Sequence, residues 1–204
     1  VDIGLESTIL DMTVTPPMIL RPGAITAEMF EEVIGPVSVD ETLLGDESEK
    51  APKAPGMKYR HYAPKAKLMI VEGDLREEIL AIRQLAYAAH RENRKVGIIA
   101  TNETLPFYNY GIVKNAGTRE NEKTIARNLY RVLREFDQED VEVIYSESFA
   151  VQGIGQAVMN RLEKAAGHQK ITAAEIVRLQ KYRRIIFVSG TDSARGPIAA
   201  ELLR

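Results

Sequence analysis

Cysteine is absent from the 204-residue chain, which excludes disulfides and thiolate zinc sites. Histidine is scarce. His61, His90 and His168 stand too far apart to suggest a local ligand cluster, so no structural metal is expected, and His90, within a helical pattern beside Arg91, reads as a surface residue. No stretch approaches eighteen consecutive apolar residues, and no charged segment followed by an apolar one opens the chain. Neither a membrane span nor secretion is expected, which leaves the cytoplasm as the default location. A complete G-x-G-x-x-G is also missing: Gly153-Ile154-Gly155 has no third glycine and no distant acid, so these glycines are expected to shape a turn rather than hold a dinucleotide. Val1 opens an apolar stretch without an initiator Met, and a start further upstream is expected.

What is present is an ordinary globular composition, 45% apolar and 27% charged with a formal net charge of -2, enough for a substantial core. Against that near-neutral background one segment stands out. Lys50, Lys53, Lys58, Arg60, Lys65 and Lys67 follow one another without an acid between Lys50 and Lys67, and such a local field speaks about ligand sign where net charge does not. Within it, Lys58, Tyr59, Arg60, His61 and Tyr62 lie between Pro55-Gly56 and Pro64, which forbid continuous helix or strand. Irregular backbone presenting cations and phenols suits a loop that closes over a polyphosphate. The plain alternative is a solvated linker with ordinary lysines.

Around this linker the periodicities define elements. Short strands are expected within Ile3 to Thr13 and over Met18 to Leu20. A helix capped by Thr26 should run to Ile34, with Met29, Phe30, Val33 and Ile34 on one face and Gly35-Pro36 ending it. Beyond the linker the pattern alternates. Strand Lys67 to Glu72 leads to a helix from Asp74 to about Asn93 with Leu75, Ile79, Ile82, Leu85 and Ala89 on its apolar face, and then to strand Val96 to Ala100. Ile112 to Asn115 reads as a strand, Asn121 to Phe136 as an amphipathic helix with Ile125, Leu129, Val132, Leu133 and Phe136 inward, Val141 to Tyr145 as a strand, and a loop over Val151 to Gly155 precedes a helix to Ala166. This predicts an α/β fold: a Rossmann-like three-layer αβα unit with parallel strands. Thr172 should cap a further helix to about Lys181. Arg184 to Val188, a small-residue loop and a helix opened by Pro197 then form a strand-loop-helix tail.

Two resemblances follow. Ser189 and Arg195, with five residues between them and Pro197 after, resemble the phosphate loop of the low-molecular-weight tyrosine phosphatases over about twenty residues. Ser189 stands where that family has its nucleophilic Cys, and Asp192 stands where it usually has Asn. A serine hydroxyl without a base is a poor nucleophile and Asp192 opposes phosphate, so a degenerate phosphate loop is expected. Upstream, GLESTILD at Gly4 to Asp11, ILRPGAIT at Ile19 to Thr26, PGMKYRHYAP at Pro55 to Pro64, GTREN at Gly117 to Asn121 and AVMNRLEKAA at Ala157 to Ala166 together resemble the carboxy-terminal half of the two-domain threonylcarbamoyl-AMP synthases.

That resemblance implies an enzyme, a nucleotidyltransferase that joins L-threonine, bicarbonate and ATP into threonylcarbamoyl-AMP, with Mg2+ as the aid, and serves tRNA-modification machinery downstream. It implies residues 1–45 as the remnant of a YrdC-like domain, 46–66 as a lid-like linker, 67–169 as the accessory domain and 170–204 as the start of the phosphatase-like unit. Residue by residue, it places Ser7 at the threonine substrate, Arg21 at ATP, and Lys58, Tyr59, Arg60, His61 and Tyr62 in a lid that excludes water. Thr8 is expected to be structural, and Asn160 and Arg161 to cap or brace the accessory unit. The nucleotide and serine-asparagine motifs of the amino-terminal half are not found, so no catalytic residue is named and the isolated chain is expected to be inactive. Two other readings stand beside this one: a non-catalytic nucleotide- or RNA-binding regulatory module fused to a degenerate phosphatase, and an arginine or tyrosine phosphatase fusion that turns on Ser189.

Overall fold

The structure, a computed structural model, describes residues 5–40 and 63–182, with side chains through residue 178. The lid residues Lys58, Tyr59, Arg60, His61 and Tyr62 and the tail residues Ser189 and Arg195 lie outside the described residues.

The amino-terminal portion is a small sheet with one helix. Strand β1 (Ile9–Asp11) pairs antiparallel with β2 (Met18–Arg21), with a register irregularity between Ile9 and Leu10, and β2 pairs parallel with β3 (Ser38–Val39). Helix α1 (Ala27–Ile34) is capped as its sequence requires: the Thr26 hydroxyl accepts from the Met29 amide, and Gly35 ends the helix at φ 82, a backbone conformation open to glycine. No residue of α1 is buried. Met29, Val33 and Ile34 stay exposed, Val33 at 82%, although the sequence pattern groups them on one apolar face.

The second portion is an all-parallel five-stranded sheet in the order β6-β5-β7-β4-β8. Its strands are β4 (Lys67–Glu72), β5 (Val96–Ala100), β6 (Ile112–Asn115), β7 (Val143–Glu147) and β8 (Lys170–Thr172). Helices α2 (Leu75–Arg91), α3 (Glu122–Phe136), α4 (Gly153–Ala166) and α5 (Ala173–Tyr182) connect or follow them. Because side chains alternate along a strand, the sheet serves two cores. Leu68, Ile70, Ile99 and Ile144 face α3 and α4, whereas Val71, Ile98, Ala100, Val143 and Tyr145 face α2 and the start of α5. The chain steps one way across the sheet through α2 and the other way through α3 and α4. Uniform handedness of parallel crossovers then demands helices on opposite faces, as found.

The predicted parallel α/β unit with helices on both faces is therefore present, and β7 stands between β4 and β5. Residues 170–182, assigned from sequence to the start of a further unit, supply the sheet's fifth strand, paired with β4, and a helix that packs on α2. Strand β7 begins at Val143, two residues later than its pattern suggests. Helix α4 begins at Gly153, inside the stretch read as loop. Gly153 takes the predicted turn conformation at φ 54, while Gly155 has a different role: a Cβ there would fall 2.5 Å from the Ala150 carbonyl oxygen and 2.7 Å from Glu122 Oε1.

Candidate functional site

The site builds up from two strand ends. Residues 6–8 precede β1, while Arg21 ends β2 and residues 22–25 follow it, so antiparallel pairing brings both segments to one end of the small sheet. Arg21 donates from Nε at 3.1 Å and from Nη2 at 2.9 Å to the Ser7 carbonyl oxygen. This two-point contact uses the guanidinium's planar fork and fixes its direction. The Thr8 hydroxyl donates to the Ile25 carbonyl oxygen at 2.7 Å and accepts from the Ile25 amide at 3.2 Å, which is the structural role expected of it. Gly23 lets the segments touch. A Cβ on it would press on the Glu6 carbonyl oxygen and lie 2.5 Å from the Thr8 nitrogen, so any side chain would push the two segments apart.

The outcome is an exposed Ser7 whose backbone is held from behind. Its hydroxyl makes no hydrogen bond among the described residues and remains available to a ligand's carboxylate or amine. Sequence reasoning names Ser7 and Arg21 separately; the structure brings them together.

A second polar constellation lies at the carboxyl ends of β4 and β7, where the following connections leave for opposite faces, the usual position of a crevice in open α/β sheets. Glu147 closes β7 and is fully buried. Arg119 Nη2 donates to Glu147 Oε2 at 2.7 Å and to the Ser148 carbonyl oxygen at 3.0 Å, and stands 3.7 Å from Glu78 Oε2. The Tyr108 hydroxyl donates to Glu147 Oε1 at 2.7 Å. The Ser148 hydroxyl donates to Glu78, and the Ser148 amide does so at 3.3 Å. The Arg119 guanidinium also sits 5.4 Å over the Phe149 ring. Burial raises the Glu78 carboxyl to about 7 against the opposing pull of Ser148 and Arg119. Burial and the Glu147 charge push the Tyr108 phenol far up, so it stays protonated.

This constellation is absent from the sequence reading, although Arg119 belongs to the quoted GTREN segment. That segment is a compact turn: Gly117 adopts φ 142, its amide donates to Asn115 Oδ1 at 2.8 Å, and the Thr118 amide donates to the Thr124 hydroxyl at 2.9 Å. Its internal bonds aim Arg119 at β7. Arg161 stands 5.7 Å from the Tyr130 ring centre, between α4 and α3, consistent with a bracing role. His90 is exposed and stacks on Tyr110 at 4.9 Å.

For Mg2+ the described residues offer no ready ligand set, because no three His, Asp or Glu side chains converge among them. Among the described residues no helix is long and apolar enough to cross a membrane.

The family described as "Threonylcarbamoyl-AMP synthase, C-terminal domain" matches residues 25–167, and the chain belongs to that family. It is 46% identical over 169 residues to the threonylcarbamoyl-AMP synthase of Bacillus subtilis (strain 168), covering 83% of this chain and 47% of that protein. It is 42% identical over 169 residues to that of Pyrococcus abyssi (strain GE5 / Orsay), covering 83% and 48%. The crystal structure of P. abyssi Sua5 complexed with L-threonine superposes with a TM-score of 0.73 at 40% identity, covering 84% of this chain and 48% of that one. The chain thus spans about half the length of the relatives it matches.

Proposed function

We propose that this chain is the carboxy-terminal part of a threonylcarbamoyl-AMP synthase, which condenses L-threonine, bicarbonate and ATP to threonylcarbamoyl-AMP and pyrophosphate for threonylcarbamoyladenosine formation on tRNA. The observation that carries the reading is the pairing of Ser7 with Arg21: an exposed serine whose backbone carbonyl is held by the Arg21 guanidinium. A zwitterionic amino acid and a nucleotide phosphate need such neighbours. That a relative sharing 40% identity was crystallised with L-threonine supports the same substrate here.

In this reading Ser7 contacts threonine and Arg21 contacts ATP. The basic, aromatic segment from Lys58 to Tyr62 closes over the cleft, excludes water from the labile intermediate and offsets charge during attack on the α-phosphate. Residues 1–45 are the end of a YrdC-like domain, and the exposed apolar side chains of α1 fit a surface that more of such a domain covers. The parallel sheet is a Rossmann-like accessory unit, with a degenerate phosphatase-like tail behind it. Mg2+ enters with the phosphates.

The experiment is threonine- and bicarbonate-dependent pyrophosphate release from ATP, measured for a polypeptide carrying an upstream synthase half and for this chain alone. Activity is expected only in the former. Silence in both would sink the synthase reading and favour a non-catalytic nucleotide- or RNA-binding module.

A further inference from the structure

The connection from β5 to β6 concentrates rings: Phe107, Tyr108 and Tyr110 all fall between positions 107 and 110. A short 3-10 turn over Leu105–Phe107 ends where Tyr108 enters extended backbone. Tyr108 joins the core shared with α2, and its hydroxyl is tied to Glu147, so this ring is fixed. Tyr110 stays near the surface and meets two rings of α2, Tyr87 at a centroid distance of 5.3 Å and His90 at 4.9 Å. Tyr87 and His90 reach it together because residues three apart share a helix face.

Between this segment and α2 lies a cavity of about 380 Å³, near the lower end of the roughly 300–1,000 Å³ typical of small-ligand sites. Ala86 and Tyr108, both buried, close its inner side, while Leu80, Tyr87 and Tyr110 are exposed along its outer sides. Three polar side chains also line it: Arg83, Gln84 and Asn109. None of the three makes a hydrogen bond or an ion pair among the described residues. Arg94, Arg131 and Arg134 each reach a carboxylate, whereas the positions one turn either side of Arg83 are Ile79, Leu80, Ala86 and Tyr87, none of them acidic. The Arg83 charge is therefore left for a ligand.

The lining selects a chemical class. Rings at these separations receive a further planar ring between or upon them. Amide side chains donate and accept along the edge of a heterocycle, and an unpaired guanidinium forks onto a phosphate. An aliphatic ligand would leave Arg83, Gln84 and Asn109 unmatched, and a cation would find no acid in the wall.

We propose that the cavity between α2 and the β5–β6 connection binds a nucleotide, with its base stacked on Tyr110 and Tyr87, its base edge met by Gln84 and Asn109, and its phosphate held by Arg83. The ligand is either a free mononucleotide or one nucleotide of a single-stranded RNA. The site shares no residue with the Ser7–Arg21 pair and does not depend on the synthase reading.

The test titrates the whole 204-residue chain with AMP, GMP, CMP and UMP in turn, with the corresponding nucleosides, and with a mixed-sequence single-stranded RNA hexamer. Calorimetry gives the affinity, and proton NMR of the ligand reports stacking. At least one nucleotide should bind with its base protons moved upfield by the rings, and its nucleoside should bind about tenfold more weakly for want of the phosphate. Tyr110→Ala should weaken binding by about tenfold or more and abolish the upfield shift, whereas Tyr110→Phe should keep both. Arg83→Met should bind nucleotide and nucleoside alike. Arg131→Met, on α3 at the opposite face of the sheet and paired with Glu135, should bind as the wild type does. Because Tyr110 and Arg83 are exposed, their variants should melt close to the wild type, which separates lost binding from lost folding.

RNA binding more than about tenfold tighter than the best mononucleotide, and lost in Tyr110→Ala, would assign the site to RNA. Affinities within that factor would assign it to a free nucleotide. The proposal is overturned if nothing in the series binds the wild type, which would leave the ring patch as a protein contact. It is equally overturned if Tyr110→Ala and Arg83→Met bind as tightly as the wild type, which would place the nucleotide elsewhere on the chain. Failure of the synthase reading is seen separately, as absent threonine-dependent pyrophosphate release from the longer polypeptide.

Discussion

Glu78 sits on α2 with 1% of its surface exposed, at the end of the sheet where Arg119, Ser148 and Glu147 also converge. Burial lifts its carboxyl from the ordinary 4.5 to about 7, so between these values the folded chain holds a proton that the unfolded chain has released. Stability from this group is complete below the unfolded value and is lost as pH rises through the folded one. The shift corresponds to at most about 3.5 kcal/mol, since one unit is about 1.4 kcal/mol. Glu78→Gln cannot titrate but still offers an oxygen to Ser148. Thermal unfolding from about pH 5 to about pH 8 should show a declining Tm component in the wild type that is flattened in the variant. Parallel profiles would mean that Glu78 is already ionised across the range. None of this was readable in the sequence, where Glu78 is one of several acids in a helix. Its partners arrive from positions 119 and 148, and only the sheet topology brings them together.

Single elements were readable to the extent that local pattern decides them. Strands β4, β5 and β6 keep the boundaries their apolar runs suggest, and all five inward residues of α3 are buried, because a wide apolar stripe opposite a charged face leaves one way to dock. Helix α2 is rotated from its expected face: Glu78, Ala81, Ile82, Ala86 and Ala89 are buried, while Ile79 and Leu85 are only partly so. Alanines allow the helix to approach the sheet closely, and Arg119 and Ser148 satisfy Glu78, so counting large apolar residues misplaces the stripe. The apolar residues of α1 show the converse, a periodic pattern without burial. These helices should respond differently to substitution. Leu133→Ala on α3 should cost about 2–5 kcal/mol in denaturant unfolding, whereas Val33→Asp on α1 should change this chain's stability by no more than about 0.5 kcal/mol. A large loss from Val33→Asp would mean that α1 packs against this chain after all.

At the scale of the whole molecule, the two portions differ in how much core holds them. The five-stranded sheet has a core on each face, with Ile70, Ile98, Ile99, Leu129, Leu133, Ile144 and Leu162 at 1% exposure or less, whereas the small sheet's buried apolar side chains include only Ile19 and Leu20 among the described residues. Pattern reading reaches the first portion because its contacts repeat a local unit of strand and helix. In the second it finds the strands and the helix one by one but not how they meet, since the clamp between Ser7 and Arg21 runs from a guanidinium to a backbone carbonyl 14 residues away, a contact that no periodicity announces. The same difference sets dynamics, because regions with few buried contacts open at lower free energy than the global transition. Hydrogen exchange should therefore separate the portions. Amides of β4, β5 and β7 should exchange only through global unfolding, tracking the denaturant midpoint, while those of Met18 to Arg21 should exchange faster through local opening. Equal protection across both portions would show that the seam around Leu5 couples them into one cooperative unit.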